Sequence, residues 1–366
     1  MNNNFQKIFI LVLISAVIAS GLFFLSKNYL GENNQLNNPL LHEVNENISE
    51  NREKIKAKNI GPLAKYNFEN LKKREYVASE INKIGRATIV DDARQELIKR
   101  GDLANKSFDF ETWAISFTSN GKNISGMMNL PLGYENKKSP AIIMIRGYAD
   151  NEGYFIGSGS WRAADELARN GMVTVSLDFL GFGMSEMESI DILEARFEKP
   201  ISVLDLIESV KKLDFVDSEK IGIWAHSNGG QIAISVLEIS GANYPTVLWA
   251  PMTNPFPQSV LDTIDETSES GQKVKNIIEN FDKEYESKLY SIDNFYSQIQ
   301  APILIHQGTE DTWCKVEWQE KFKNNLQLLG KEVYLEIEEG NDHNFKQSWD
   351  EVMAKDVSFF KYRFQL

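Results

Sequence analysis

Ile221-Gly222-Ile223-Trp224-Ala225-His226-Ser227-Asn228-Gly229-Gly230-Gln231-Ile232-Ala233 is the stretch that decides the fold. Ile221 to Ala225 is a short apolar run, the pattern of a strand buried on both faces. The segment after Gly230 has apolar residues at helical spacing. Ser227 sits between the two, with small residues two positions away on either side, Ala225-x-Ser227-x-Gly229. A strand that turns at once into a helix holds its middle residue in a strained, exposed position, and small neighbours let the chain pass. Ser227 is therefore a candidate nucleophile at a sharp elbow, against the plainer reading of an ordinary strand–helix turn. Ala225 stands where the strict form of this pattern has glycine.

The rest of the chain bounds what that serine can be part of. Of 366 residues, 42% are hydrophobic and 25% charged, enough for a large core. The formal net charge of −13 repels nucleic acid, and no basic stripe with interleaved aromatics offsets it, so no nucleic-acid partner is expected. One cysteine, Cys314, excludes an intrachain disulfide and a cysteine zinc site. The histidines, His42, His226, His306 and His343, show no metal-ligand spacing. Neither a metal nor a cofactor is expected.

Short apolar runs alternate with helical stretches over most of the length. Trp113–Phe117 and Ile124–Leu130 read as two alternating strands joined by an Asn120-Gly121 turn. Ala141–Ile145, Val173–Leu177, Ile221–Ala225, Val247–Ala250, Ile303–His306 and Val333–Ile337 read as buried strands. Trp161–Asn170 and Ile201–Leu213 read as helices. The expected fold class is α/β, a mostly parallel sheet with helices on both faces. Sites in such sheets lie at the carboxyl ends of the strands. The acidic stretch Pro251–Gln300 interrupts the rhythm, as either a cap over the site or a long crossover.

The N-terminus is a separate region. Ile8 to Leu25 is uncharged and mostly apolar between Lys7 and Lys27. About 18 residues at ~1.5 Å each nearly cover the ~30 Å bilayer core. An uncleaved membrane anchor is the expectation for residues 1–30, because the run exceeds the usual signal-peptide core and Leu22-Phe23-Phe24-Leu25 follows the small residues; a cleaved signal is the alternative. A single-pass anchor with a short polar tail puts the catalytic domain outside the cytoplasm. Residues 31–60 read as a polar linker, 61–107 as a small, mainly helical lead-in, and 108–366 as the catalytic domain, with 251–300 its possible cap.

A serine nucleophile needs a base, and the base needs a partner that fixes its tautomer. In sheets of this kind the chain order is serine, acid, histidine. His343 lies in the polar loop after the strand ending at Ile337, and Asp311 in the loop after the strand ending at His306. Both loops open on the same edge as the elbow. Ser227 is thus the expected nucleophile, His343 the base and then acid, and Asp311 the orienting carboxylate. His226 and His306 read as structural histidines. Asp342, adjacent to His343, is badly placed to bind its ring, and Glu310 is the better rival to Asp311. Two N–H donors for an oxyanion are expected from Asn228, at the helix start, and from Tyr148, in the loop Ile145-Arg146-Gly147-Tyr148.

These residues resemble the α/β-hydrolase fold and, within it, the catalytic domains of the prolyl oligopeptidase and acylaminoacyl-peptidase family, with the dienelactone hydrolases nearby. The elbow His226-Ser227-Asn228-Gly229-Gly230, the acid loop Gly308-Thr309-Glu310-Asp311 and the histidine loop Gly340-Asn341-Asp342-His343-Asn344-Phe345 carry the resemblance. It covers about Phe110 to Phe364. It implies a serine hydrolase working through an acyl-enzyme on a small peptide, or alternatively on an ester. A non-catalytic binding protein on the same fold is the remaining reading. The sequence departs from the family at Ala225 and at Arg146-Gly147, where the family has His-Gly. The stretch 31–107 is also too short for the β-propeller that the oligopeptidases carry.

Overall fold

The computed structural model describes residues 58–100 and 109–366. Its strands are β1 (Asn82–Arg86), β2 (Phe110–Ser119), β3 (Lys122–Pro131), β4 (Ser139–Ile145), β5 (Val173–Leu177), β6 (Val216–His226), β7 (Thr246–Trp249), β8 (Ile303–Gly308) and β9 (Val333–Glu338). They form one sheet in the order β1-β2-β3-β5-β4-β6-β7-β8-β9. The first pairings, β1·β2, β2·β3 and β3·β5, are antiparallel, and every pairing from β5 to β9 is parallel. The helices are α1 (Phe68–Leu71), α2 (Thr88–Arg100), α3 (Trp161–Arg169), α4 (Ile192–Phe197), α5 (Lys199–Val210), α6 (Asn228–Ser240), α7 (Gln258–Leu261), α8 (Glu269–Glu284), α9 (Val316–Leu328) and α10 (Trp349–Phe364).

Strands β4, β5, β7, β8 and the second half of β6 are buried because both their faces are covered, whereas β9 at the sheet edge is largely exposed. Alternate residues of β4 go to different cores: Ala141, Ile143 and Ile145 to one, Ile142 and Met144 to the other. This is the two-residue period of an extended chain. Helices α5, α6 and α9 cover the first face, while α3 and α10 cover the second. The β2–β3 hairpin turns at Asn120 and Gly121, both at positive φ, as a two-residue turn requires.

One strand lies where helical spacing alone was expected. Asn82–Arg86 forms β1 against β2, at the antiparallel edge of the sheet. Its residues are nearly all exposed, so it lacks the alternation that marks a half-buried strand. The free edge of β2, rather than its own side chains, accounts for it.

The stretch after β7 holds α7, α8 and a run of short 3-10 turns. Phe256, Phe281, Tyr290 and Phe295 pack into the first core together with Phe197 of α4. The lead-in docks on this same layer. Phe68 stacks on Phe295 with ring centres 4.6 Å apart, and the Tyr285 and Tyr290 hydroxyls bond the backbone of Leu63. No described helix is long and apolar enough to cross a membrane. The apolar run Ile8–Leu25 lies outside the described residues, as does the polar stretch 31–57.

On the second face a buried ion pair ties β8 to α10. His306 Nε2 lies 2.9 Å from Asp356 Oδ1, and His306 Nδ1 lies 3.0 Å from Glu338 Oε1. Asp356 Oδ2 accepts the indole N–H groups of Trp224 and Trp249, so three strands converge on one carboxylate. Burial opposes the charge on His306, but Asp356 and Glu338 outweigh it and raise its pKa. A raised value means that the stabilisation is full below the unfolded value of about 6.5 and is lost as pH rises through the folded value. His306→Ala leaves Asp356 buried without its cation. Urea denaturation at pH 6 is expected to show a loss of about 3–5 kcal/mol, shrinking toward alkaline pH. A loss below about 1 kcal/mol would remove the ion pair as a stabilising element.

Candidate active site

Strand β6 ends at His226 and helix α6 begins at Asn228, leaving one residue for the turn. Ser227 takes φ 55° and ψ −123°, a conformation that costs a non-glycine residue about 1–3 kcal/mol. Three backbone bonds hold it there. Its N–H donates to Trp249 O, and its carbonyl accepts from Gly230 and Met252, all at 2.9 Å. The small residues follow from the crowding. A Cβ on Gly229 would lie 2.4 Å from the Ile145 carbonyl oxygen, and one on Gly230 would lie 2.4 Å from Pro251 Cβ. Ala225 is fully buried within the sheet, and its methyl has room in the first core, so that position does not demand glycine.

The acid and histidine loops leave β8 and β9 side by side. A Cβ on Gly308 would lie 2.2 Å from the Asn341 carbonyl oxygen, so the loops touch backbone to backbone. Glu310 N donates to Asn341 O, and Thr309 Oγ1 accepts from Gly340 N. His343 Nδ1 lies 2.8 Å from Asp311 Oδ2. An ionised carboxylate only accepts, so Nδ1 carries the proton and Nε2 is left free to act as a base.

Asp311 also accepts the backbone N–H groups of Trp313 and Cys314 and the side-chain amide of Gln307. Burial alone would raise its pKa. The bonds from His343 and the two backbone N–H groups reverse that and hold it below the ordinary carboxylate value. Glu310 is exposed and bonds the histidine loop through its backbone alone, and Asp342 accepts from Asn344 N and Lys346 N rather than from the ring.

His226 supports the same loop. Its Nε2 lies 3.0 Å from the His343 carbonyl oxygen, and the two rings are 4.7 Å apart. Burial, then the neighbouring His343, pushes its pKa down to about 4, so the ring is neutral and donates through Nε2. Among the described residues no hydrogen bond joins Ser227 Oγ to His343. The serine is tied to the histidine loop through His226, its chain neighbour.

The loop after β4 crosses directly over the elbow. A Cβ on Gly147 would lie 2.9 Å from Ser227 Cβ and 3.2 Å from the His226 carbonyl oxygen. Arg146 pins this loop from below. It donates to the carbonyls of Gly147 and Asp178 and to the Tyr154 hydroxyl, and its guanidinium lies 4.1 Å from the Phe182 ring centre. Tyr148 follows, 80% exposed, its hydroxyl donating to Asp150. Tyr148 and Asn228 line one cleft of about 130 Å³ beside the serine.

Two glutamines extend the site, and neither was apparent from the sequence. Gln307 bonds Asp311 and the Cys314 carbonyl while accepting from Gln319 of α9, and Gln319 in turn donates to the Pro251 carbonyl. The available signal was a polar residue closing the apolar run of β8 at Gln307; Gln319, among the charged residues of α9, gave none. Asp311, Cys314 and His343 bring one ligand atom each within 4.8 Å of one another. Asp311 and His343 are already bonded, and burial, then Asp311, raises the pKa of the Cys314 thiol, which disfavours the thiolate a soft cation needs.

Residues 195–366 match the sequence model of the prolyl oligopeptidase family. No curated protein matches the chain at a significant level. Among solved structures, the acetyl xylan esterase from Paenibacillus sp. R4 superimposes with a TM-score of 0.57 at 16% identity, covering 80% of this chain and 91% of that one. Est1E from Butyrivibrio proteoclasticus, solved with ferulic acid bound, gives 0.52 at 17%, covering 69% and 99%. The acylaminoacyl peptidase of Pyrococcus horikoshii gives 0.53 at 20%, covering 74% of this chain but 43% of that longer one. The chain has the α/β-hydrolase fold, and its site is that of a serine hydrolase. Its catalytic part resembles that of the prolyl oligopeptidase family, and the described residues hold one sheet and no β-propeller.

Gly147→Ala puts a methyl group where the loop meets Ser227 Cβ. The expected result is a folded protein whose kcat falls about 10²-fold through displacement of the loop. Circular dichroism and initial rates would check it, and an unchanged kcat would show that the close approach is immaterial.

Proposed function

We propose that the chain cleaves short peptides through an acyl-enzyme formed on Ser227. His343 Nε2 takes the serine proton as Oγ attacks the carbonyl carbon, then gives it to the leaving amine. Asp311 holds the imidazole in the tautomer that leaves Nε2 free and stabilises the imidazolium that forms. The backbone N–H groups of Asn228 and Tyr148 receive the negative charge that develops on the carbonyl oxygen, with the α6 dipole adding to the first. Water then attacks the acyl-enzyme by the same steps in reverse order of proton transfer.

One observation carries this reading: the Asp311–His343 pair, 2.8 Å apart, on the sheet edge that also holds a serine at positive φ. Strain of that size persists where the surroundings over-determine it, as they do around a preorganised site. The family match over 195–366 favours peptides. Ester hydrolysis is the second reading, favoured by the two esterases whose chains this fold covers almost end to end.

Ser227→Ala is expected to abolish turnover, and Asp311→Asn to lower kcat about 10⁴-fold. A fluorophosphonate probe should label Ser227, and a protein that stays unlabelled would refute the serine mechanism. Short aminoacyl nitroanilides compared with nitrophenyl esters separate the two substrate readings. The apolar run Ile8–Leu25 supports a membrane-tethered enzyme facing outward. Protease added to intact cells should then remove the domain, and protection until lysis would overturn that placement.

A further inference from the structure

The cleft beside Ser227 continues inward. A second cavity, of about 40 Å³, adjoins the cleft of about 130 Å³, and Lys199, Asn228 and Ile232 line both. Arg196 lines the inner cavity, one turn before Lys199 on the α4–α5 corner. The inner walls are otherwise mostly apolar, among them Phe256, Tyr290 and Ile292, with Asn228, Gln231 and Ser235 as the neutral polar groups.

Two half-buried cations in such a place require compensation. Among the described residues neither forms an ion pair. Arg196 is held by neutral acceptors, Gln231 Oε1 and Ser259 Oγ, which aim the guanidinium without cancelling its charge. Lys199 Nζ sits 5.8 Å from the Phe179 ring centre. Two carboxylates act on Lys199 from a distance, Glu188 most strongly, and neither is paired with it. Glu188 is at the exposed rim, and Glu198 is 3.7 Å from Lys122. In a chain carrying −13, a pocket lined by two positive charges without a direct ion pair is set apart from its surroundings.

We propose that the inner cavity receives a carboxylate borne by the acyl portion of the substrate, clasped by Lys199 and Arg196 while the scissile carbonyl lies at Ser227. Asn228 borders both spaces, so the carboxylate lies a few bonds from the reacting carbon. The chemistry is that of a dicarboxylic hemiester or of an acidic residue on the acyl side of a peptide bond. This inference rests on the acyl-hydrolase reading above. Burial brings the pKa of Lys199 down to about 8, against the opposing charge of Glu188 and with a smaller push in the same direction from Arg196 and Arg146. Preference for the carboxylate therefore fades as pH rises past that value.

The test uses the whole protein and two matched pairs: nitrophenyl hemiglutarate against nitrophenyl pentanoate, and acetyl-glutamyl against acetyl-glutaminyl nitroanilide. Uncatalysed hydrolysis is subtracted. In at least one pair, kcat/KM at pH 7 should favour the carboxylate about tenfold or more. The pair that responds tells ester from peptide. Lys199→Met and Arg196→Gln should bring that ratio toward unity, whereas Lys199→Arg should keep it. Free glutarate should compete more strongly than butyramide with the wild-type protein, a readout that needs no variant. Neutral substrates preferred in both pairs, or a ratio unmoved by Lys199→Met, overturns the carboxylate pocket. Fluorophosphonate labelling of Ser227 separates the outcomes: a labelled protein without the preference loses the pocket alone, and an unlabelled one loses the hydrolase reading itself.

Discussion

Everything at the carboxyl edge of the sheet depends on one backbone conformation, the positive φ of Ser227. A residue held there projects its side chain off the turn, but the strain must be met by contacts on all sides. The contacts are close enough to exclude any β-carbon at Gly147, Gly229 and Gly230. The crossing loop and the chain after β7 therefore pack closely on the elbow, the Ile145 and Arg146 carbonyls against Gly229 and Pro251 against Gly230. Side-chain packing could yield a few tenths of an ångström under load. Backbone contact does not, and so the geometry around the serine is rigid by construction.

The two faces of the sheet treat charge differently. At the carboxyl edge, Asp311 collects donors from His343, Gln307 and two backbone N–H groups and stays ionised in a nearly dry setting. On the second face, His306 shares its charge between Asp356 and Glu338. Both arrangements anchor the β8–β9 region, one through the loops and the other through α10. The histidine loop is therefore gripped from its strand, from Gly308 and from the His226 ring beneath it.

The inner parallel strands were legible because burial on both faces favours apolar runs, whereas β9 at the edge is largely exposed. The hairpin was legible from Asn120-Gly121, which only a positive-φ turn favours. The pairing of Asp311 with His343 was legible from position alone, since each follows a strand that opens on one edge. What escaped the sequence is what depends on a neighbour. Strand β1 has no pattern of its own and forms on the edge that β2 offers. Gln307 and Gln319 meet only after α9 folds back over the sheet. Arg146 reads as a departure in the linear motif, and in space it holds the same loop by bonds to Gly147 and Asp178.

The docking of the lead-in on the layer after β7 has a consequence for how the molecule is made. Tyr66, Phe68 and Leu71 line the inner cavity together with Phe256, Tyr290 and Ile292, which lie far along the chain. Phe68 must wait for Phe295, and Leu63 for Tyr285 and Tyr290, before either is covered. During synthesis the apolar surface of the lead-in thus emerges early and is covered late. The pocket closes only when more than two hundred further residues have left the ribosome. The growing polypeptide carries the lead-in's share of that cavity, Tyr66, Phe68 and Leu71, uncovered for most of that time.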